Sequence, residues 1–482
     1  VAIDTARLGA DGTARLDADG AALVAEESAW RELAAGVLRR NHPDATPATV
    51  RRSLTRTTVE GLPVPVLGTP ATCEPVGSSP IPVTERVGWD VRSLILVTDG
   101  TGSTDAPADQ ARRESAGGST SLWLRLPPDE SLDVLAGCLA GMPLDGRCLA
   151  VDADDSIAAA RVLVEAVGSG VRLHPDTVVG VDPFAAAVRS GGAVPAAGEC
   201  AAAVRALTEA ADTLGVGSIA ADGTAAHDAG AGEAGELGWM LAVGVALLRE
   251  MTSGSTDVAA AARRIEFRLA ATVQLYPTVA KFRAARVLWD RVLQLCGVSG
   301  VPARLHAVTS RPMLTRRDPE TNLLRTTVAA FAAGAGGADA VTVLPYDHAA
   351  RVSGAAARRW ARNISHLLIA ESHVGQAVDP AAGAFAVEEL TQTLAEAAWA
   401  EFGRIEAAGG ARAALAEGAV GRRWAAAADE RDRRIADGRQ PLIGVTVHPP
   451  ATAEPPGPPP VSGWPPPRTW EPADVPSGKD AS

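Results

Sequence analysis

The pattern of apolar and polar positions switches period repeatedly along the middle of the chain. Short β-rich runs recur at Gly88–Val97, Ser119–Leu126, Arg147–Asp154, Thr177–Pro183, Val216–Gly223, Arg264–Thr272, Arg304–Ser310 and Asp339–Asp347. Each is followed by sequence with helical spacing. Strands that alternate with helices predict a parallel sheet. Eight such units predict a closed (β/α)8 TIM barrel. A doubly wound open sheet is the alternative. Against it, no GxGxxG follows any of the eight runs.

The flanks divide the chain further. Residues 1–80 form an N-terminal arm, 81–400 the barrel, 401–448 a C-terminal helical extension and 449–482 a proline-rich tail. In the arm, Glu26–Arg40 carries helical apolar spacing at Trp30, Leu33, Ala34, Val37 and Leu38. Thr46–Pro82 is proline-spaced and reads as extended. A helix this short is marginal without packing, so the arm is expected to lie on its own barrel or on a partner. Leu237–Leu248 is the longest mostly apolar run, too short to span a bilayer and expected as a buried helix. Beyond the last strand, Ala355–Ser372, Val387–Ile405 and Gly418–Asp437 read as helices, with Gly409 and Gly410 as a stop. The tail is too rich in proline for helix or interior strand. It is expected to be disordered or polyproline, as a solvated tail first and a ligand for a proline-recognising domain second.

Composition narrows the function classes. Hydrophobic residues are 46% of the chain but aromatics only 4%, so the core is built from Ala, Val and Leu. A net charge of −12 argues against nucleic-acid binding, which needs a basic surface. Cys73, Cys138, Cys148, Cys200 and Cys296 include no CxxC pair, so neither a zinc site nor a disulfide framework is expected. That usage suits a reducing cytoplasm. The first residues lack the apolar core of a signal peptide, and no membrane association is expected.

In such a barrel, chemistry sits on the loops after the strands. Those loops hold Asp152, Asp154 and Asp155; Asp222, His227 and Asp228; His306, Thr309, Ser310 and Arg311; and Tyr346, Asp347 and His348. Asp152, Asp154, Asp222, His227 and His306 have the residue types of a metal site. Carboxylates at strand ends are also ordinary helix caps, the pattern of Asp155–Ser156 and Asp182–Pro183, and no metal is expected. His227 and His306 are the candidate bases, but no GxSxG elbow accompanies them. Arg311, Arg316, Arg317 and Arg325 suit a phosphate, ion pairs with Asp318 and Glu320, or a face turned to a partner, and their spacing does not choose between these.

Longer stretches carry a resemblance. RIEFRLAATVQLYPTVAKFRAARVLWDRV, RRWARNISHLLIAES, VDPAAGAFAVEELTQTLAEAAW and QPLIGV, in that order, resemble the adenosylcobalamin-dependent methylmalonyl-CoA mutases. Upstream, GWDVR, TSLWLRL and DGTAAHDAGAGEAGELGWMLA are similar to the same family, closest to its small, β-type subunit. The resemblance implies a barrel that, in catalytic members, threads the CoA arm along its axis. It implies radical rearrangement between (R)-methylmalonyl-CoA and succinyl-CoA, with the cofactor doing the hard chemistry.

The sequence departs from the catalytic pattern. A GYHMQEAGA-like stretch, matched on AGA, puts Ala225 at the family's histidine and His227 at its glutamine. RTHSQTSGWSLT becomes RLHAVTSRPMLT, which keeps His306 but places Val308 at a glutamine and Arg311 at a glycine. No DxHxxG supplies a cobalt ligand. The resemblance therefore implies no catalytic residue in this chain. His227, His306, Thr309, Ser310 and Arg311 are expected as remnants of the substrate pocket. The expected partner is a catalytic large subunit in a heterodimer, which handles adenosylcobalamin and the acyl-CoA. The alternatives are a catalytic barrel served by a separate cobalamin-binding chain, and a stand-alone CoA-binding barrel.

Overall fold

A computed structural model describes residues 16–69, 81, 87–99, 106–168, 170–254 and 256–450. Each of the eight β-rich runs contains one strand: β1 Asp90–Leu96, β2 Ser121–Arg125, β3 Cys148–Asp152, β4 Val178–Val181, β5 Ser218–Asp222, β6 Ile265–Ala271, β7 Arg304–Thr309 and β8 Ala340–Thr342. They pair in parallel and in chain order, and β8 closes on β1 through Ala340 opposite Asp90. The arrangement is the expected (β/α)8 barrel.

Side chains on a strand alternate between faces, so a barrel has two interiors. The outer one lies between strands and helices. There Leu122, Leu124, Val151 and Phe267 meet helical side chains such as Leu163, Leu207 and Trp289. The inner one is the lumen, with Trp123, Ala150, Val178, Ala220, Val308 and Leu344. Trp123 faces the lumen, while Leu122 and Leu124 on either side of it face outward.

The apolar run expected as a buried helix lies inside Glu233–Thr252, which is buried along most of its length. It packs against Phe385–Ala407 and Leu275–Leu295. Gly238 allows that approach: a Cβ there would sit 2.7 Å from the Glu401 side chain. The two expected caps also form. Asp155 accepts from the Ala158 amide at 3.0 Å, and Asp182 from Phe184 and Ala185 at 2.9 and 3.1 Å.

The arm differs from its sequence reading in two ways. Its helix runs Leu16–Leu38, starting well before Glu26. Within the stretch read as extended, Pro47–Leu54 is a second helix. Proline fits the first helical turn because no N–H is needed there, and the Thr46 amide donates to Thr49 Oγ1 at 3.0 Å. A short antiparallel pair, Arg56–Thr57 with Pro63–Val64, comes next. This segment rests on its own barrel. Glu60 accepts from the Ala234 and Gly235 amides at 2.9 and 2.7 Å, capping helix Glu233–Thr252, and Arg434 donates to the Thr57 carbonyl at 2.7 Å. The rest of the stretch read as extended, from 70 on, and the tail from 451 on lie outside the described residues, apart from Ile81.

Candidate functional site: the barrel axis and its mouth

The lumen is filled by ion pairs stacked along the axis. Lowest lies Arg92 of β1, fully buried, which donates to Glu266 of β6 at 2.7 Å, to Asp90 at 3.2 Å and to Ser121 at 2.9 Å. Arg304 adds a second pair to Glu266 at 3.1 Å. Above them His306 of β7 shares a hydrogen bond with the Thr342 hydroxyl at 2.8 Å. Its ring meets Trp123 edge-on, 5.5 Å between centroids. The Arg268 guanidinium lies over the same indole, 4.2 Å from the Trp123 ring centroid, a cation–π geometry.

The top layer converges on Asp152 at the end of β3. It accepts from Arg125 at 2.8 Å, Arg268 at 2.6 Å, Arg189 at 3.2 Å and the Trp123 indole at 3.2 Å. Arg189 also pairs with Asp222 at the end of β5, and Arg125 with Asp154 at 2.8 Å. Burial alone would raise the Asp152 carboxyl, but Arg189, Arg125 and Arg268 pull it well below the usual carboxylate range.

At the mouth, His227 sits on the short helix Thr224–Asp228 after β5. Its Nε2 is 2.7 Å from the Ser310 hydroxyl, and its Nδ1 is 3.7 Å from Glu236. Glu236 accepts from Lys281 and from the Ala270 amide, both at 2.6 Å. Burial, then the Lys281 and Arg431 charges, hold the imidazole well below its ordinary pKa, so it is neutral at pH 7 and its contact with Glu236 is not an ion pair. Burial likewise pushes Glu236 up to about 7 despite Lys281. Arg311 is buried and donates to Asp228 at 2.8 Å. Thr309 accepts from the Leu344 amide at 2.8 Å. Trp123, Thr224, Val308, Arg311 and Leu344 line the shallow cleft that remains.

The structure thus gathers His227, Thr309, Ser310 and Arg311 at one mouth. It sets His306 deeper, in the Trp123 layer. Asp152, Asp154 and Asp222 meet arginines rather than His227 or His306. Among the described residues no group of three or more His, Cys, Asp or Glu is placed to hold a metal. Of the arginines in the loop after β7, Arg325 and Arg311 have separate partners. Arg325 donates to Asn322 at 2.8 Å, Thr315 at 3.2 Å and the Ile443 carbonyl at 2.6 Å, while Arg311 faces Asp228. Asn322 ties the loop to the segment after β8 by donating to the Thr315 and Tyr346 carbonyls at 2.8 Å. Ala225 is buried and offers only a methyl group.

Reading strand ends alone misses Arg92, Trp123, Arg125, Glu266 and Arg268. Their signal is the two-residue alternation inside the strands: Glu266 and Arg268 in IEFRL, Trp123 and Arg125 in LWLR.

Comparison with known proteins agrees with this architecture. The family model described as methylmalonyl-CoA mutase matches residues 195–461. The chain is 40% identical over 450 residues to the methylmalonyl-CoA mutase small subunit of Streptomyces virginiae, covering 88% of this chain and 70% of that protein. It is 39% identical over 376 residues to a probable methylmalonyl-CoA mutase small subunit of Mycobacterium bovis, covering 75% of this chain and 59% of that protein. The large subunit of the Streptomyces virginiae enzyme is 36% identical over 231 residues, 47% of this chain and 32% of that subunit. The chain therefore belongs to the methylmalonyl-CoA mutase family, with its small subunits.

Proposed function

We propose that this barrel is the non-catalytic half of a heterodimeric mutase that interconverts (R)-methylmalonyl-CoA and succinyl-CoA. Its role is to stabilise a catalytic large subunit. The supporting observation is the filled axis. An acyl-CoA arm needs an open lumen, and here Arg92, Trp123, Arg268 and His306 occupy it, bonded to Glu266, Asp152 and Thr342. Displacing them would strand buried charges at several kcal/mol each (roughly 3–5 per broken pair).

The described residues do not fit adenosylcobalamin either. The imidazoles of His227 and His306 are engaged by Ser310 and Thr342, and Arg311 by Asp228. No step of the radical chemistry is assigned to this chain. His227, His306, Thr309, Ser310 and Arg311 are pocket positions turned to structural use. Substrate and cofactor belong to the large subunit, and the likeness of this chain to the large subunit of Streptomyces virginiae supports barrel-on-barrel pairing. A reducing, cytoplasmic setting suits the free thiols of Cys138, Cys148, Cys200 and Cys296. No described helix is long and apolar enough to cross a membrane.

The test is a mutase assay with adenosylcobalamin and methylmalonyl-CoA, using this chain alone, its large subunit alone, and both co-expressed. Turnover by a 1:1 complex and none by this chain alone is the expected result. Turnover by this chain supplied only with a free cobalamin-binding domain would overturn the proposal.

A further inference from the structure

At the mouth, side chains from separate elements stand in line: Ser310, His227, Glu236 and Lys281. Ser310 is the first residue past β7, and its amide donates to the Ala271 carbonyl at 2.8 Å, which fixes it beside the end of β6. The Met313 amide donates to the Ser310 hydroxyl oxygen at 3.3 Å. The hydroxyl proton is left to point at His227 Nε2, 2.7 Å away. Nε2 is then the acceptor, and the proton of the neutral ring lies on Nδ1, the nitrogen that faces Glu236 at 3.7 Å. Glu236 is itself held by Lys281 and by the Ala270 amide.

A hydroxyl, an imidazole and a carboxylate in this order are recognised by geometry and role, not by a motif, so the missing GxSxG does not decide against them. Ser310 is buried, yet it lines the shallow cleft at the mouth together with Trp123, Val308, Leu344 and Arg311. The apolar walls suit a short acyl chain, with the alcohol part of an ester left outside. Arg311, next in sequence to Ser310 and on the same cleft, is the cation available to a developing oxyanion. Burial keeps the imidazole neutral at pH 7, so it can accept a proton, although as a weak base.

We propose that Ser310 and His227, with Glu236 as the positioning carboxylate, hydrolyse carboxylic esters of short acyl chains at this cleft. The activity goes beyond the mutase reading, which gives these side chains no chemistry, and does not depend on it. In the first step Ser310 Oγ bonds to the acyl carbon and its proton passes to His227 Nε2. The carbon–oxygen bond to the leaving alcohol breaks, and His227 returns the proton to that oxygen. Water then adds to the acyl-serine and gives a proton to His227. The bond from the acyl carbon to Oγ breaks, Ser310 takes the proton back, and the carboxylic acid leaves. Glu236 faces the Nδ1 proton throughout and offsets the positive charge of the imidazolium formed in each step.

The experiment uses the full chain. It is incubated with an alkyl fluorophosphonate, and the modified peptide is located by mass spectrometry. The expected adduct is on Ser310. In parallel, p-nitrophenyl acetate should be hydrolysed faster than in buffer, and the excess should vanish in Ser310→Ala. His227→Gln keeps a polar side chain but removes the base, and should slow both reactions about 100-fold. Glu236→Gln should lower kcat at unchanged KM, a split that a merely structural role would not produce. Circular dichroism checks that each variant is folded. Labelling of the unmodified chain needs no variant, so the test stands even where His227→Gln folds poorly. Absence of a Ser310 adduct overturns the proposal. So does hydrolysis that survives Ser310→Ala, or labelling of Ser310 at the same rate in folded His227→Gln.

Discussion

Phe267 and Arg268 are adjacent in β6, and they face the two different interiors of the barrel. Phe267 packs outward onto Trp289, 4.8 Å between ring centroids. Arg268 points inward between Trp123, Asp152 and Asp222. Both are fully buried. The outer contact is apolar and non-directional, so its loss scales with area and shape. The inner contact holds charges whose desolvation is offset only while every partner is in place. The outer wall makes the chain a barrel. The inner stack fills its axis.

The sharpest way to break the comparison is Arg268→Met beside Phe267→Leu. The first keeps volume and removes a charge that Asp152 and Asp222 use, so it should cost about 3 kcal/mol. The second keeps an apolar contact and should cost about 1–2 kcal/mol. Urea unfolding of both variants measures the difference, and an equal or reversed order would show that the lumen is no more demanding than the wall. An acid titration of stability separates the regions next. The Asp152 carboxyl is depressed in the folded state, so its contribution is present above the ordinary aspartate pKa of about 3.9 and is lost as the pH falls through the folded value. Asp152→Asn should be less stable at pH 7 and show a shallower acid limb, whereas Phe267→Leu should keep the slope of the parent. The smallest effect belongs to the arm. Glu60→Ala removes a cap from helix Glu233–Thr252 and should cost about 1 kcal/mol. Hydrogen exchange should speed up at the Ala234 and Gly235 amides while β6 stays protected.

The same contrast explains what is legible in the sequence. All eight strands fall within runs picked out by β-rich composition and flanking helical spacing, because the outer wall needs apolar residues at regular intervals. The lumen is harder to read. WLR and IEFR carry the alternation, but nothing local says that Arg125 and Arg268 will meet at Asp152, which lies 27 residues from the first and 116 from the second. The mouth is half legible. His227, Thr309, Ser310 and Arg311 stand out at strand ends, yet the Glu236 and Lys281 behind His227 sit in helices that read as plain packing. The helix at Pro47–Leu54 escapes a sequence reading because proline density masks a proline at a first turn.

The convergence on Asp152 also constrains how such a chain can change over generations. Arg125, Arg189 and Arg268 share one carboxylate, and Arg189 and Arg268 share a second in Asp222. Residues in one network do not mutate additively, and removing any single member leaves a buried charge behind. Each one-step route toward an open axis therefore passes through a poorly folded ancestor, even if the end point would fold well. The stack acts as a ratchet: easily kept, and reversed only by several coordinated substitutions at once.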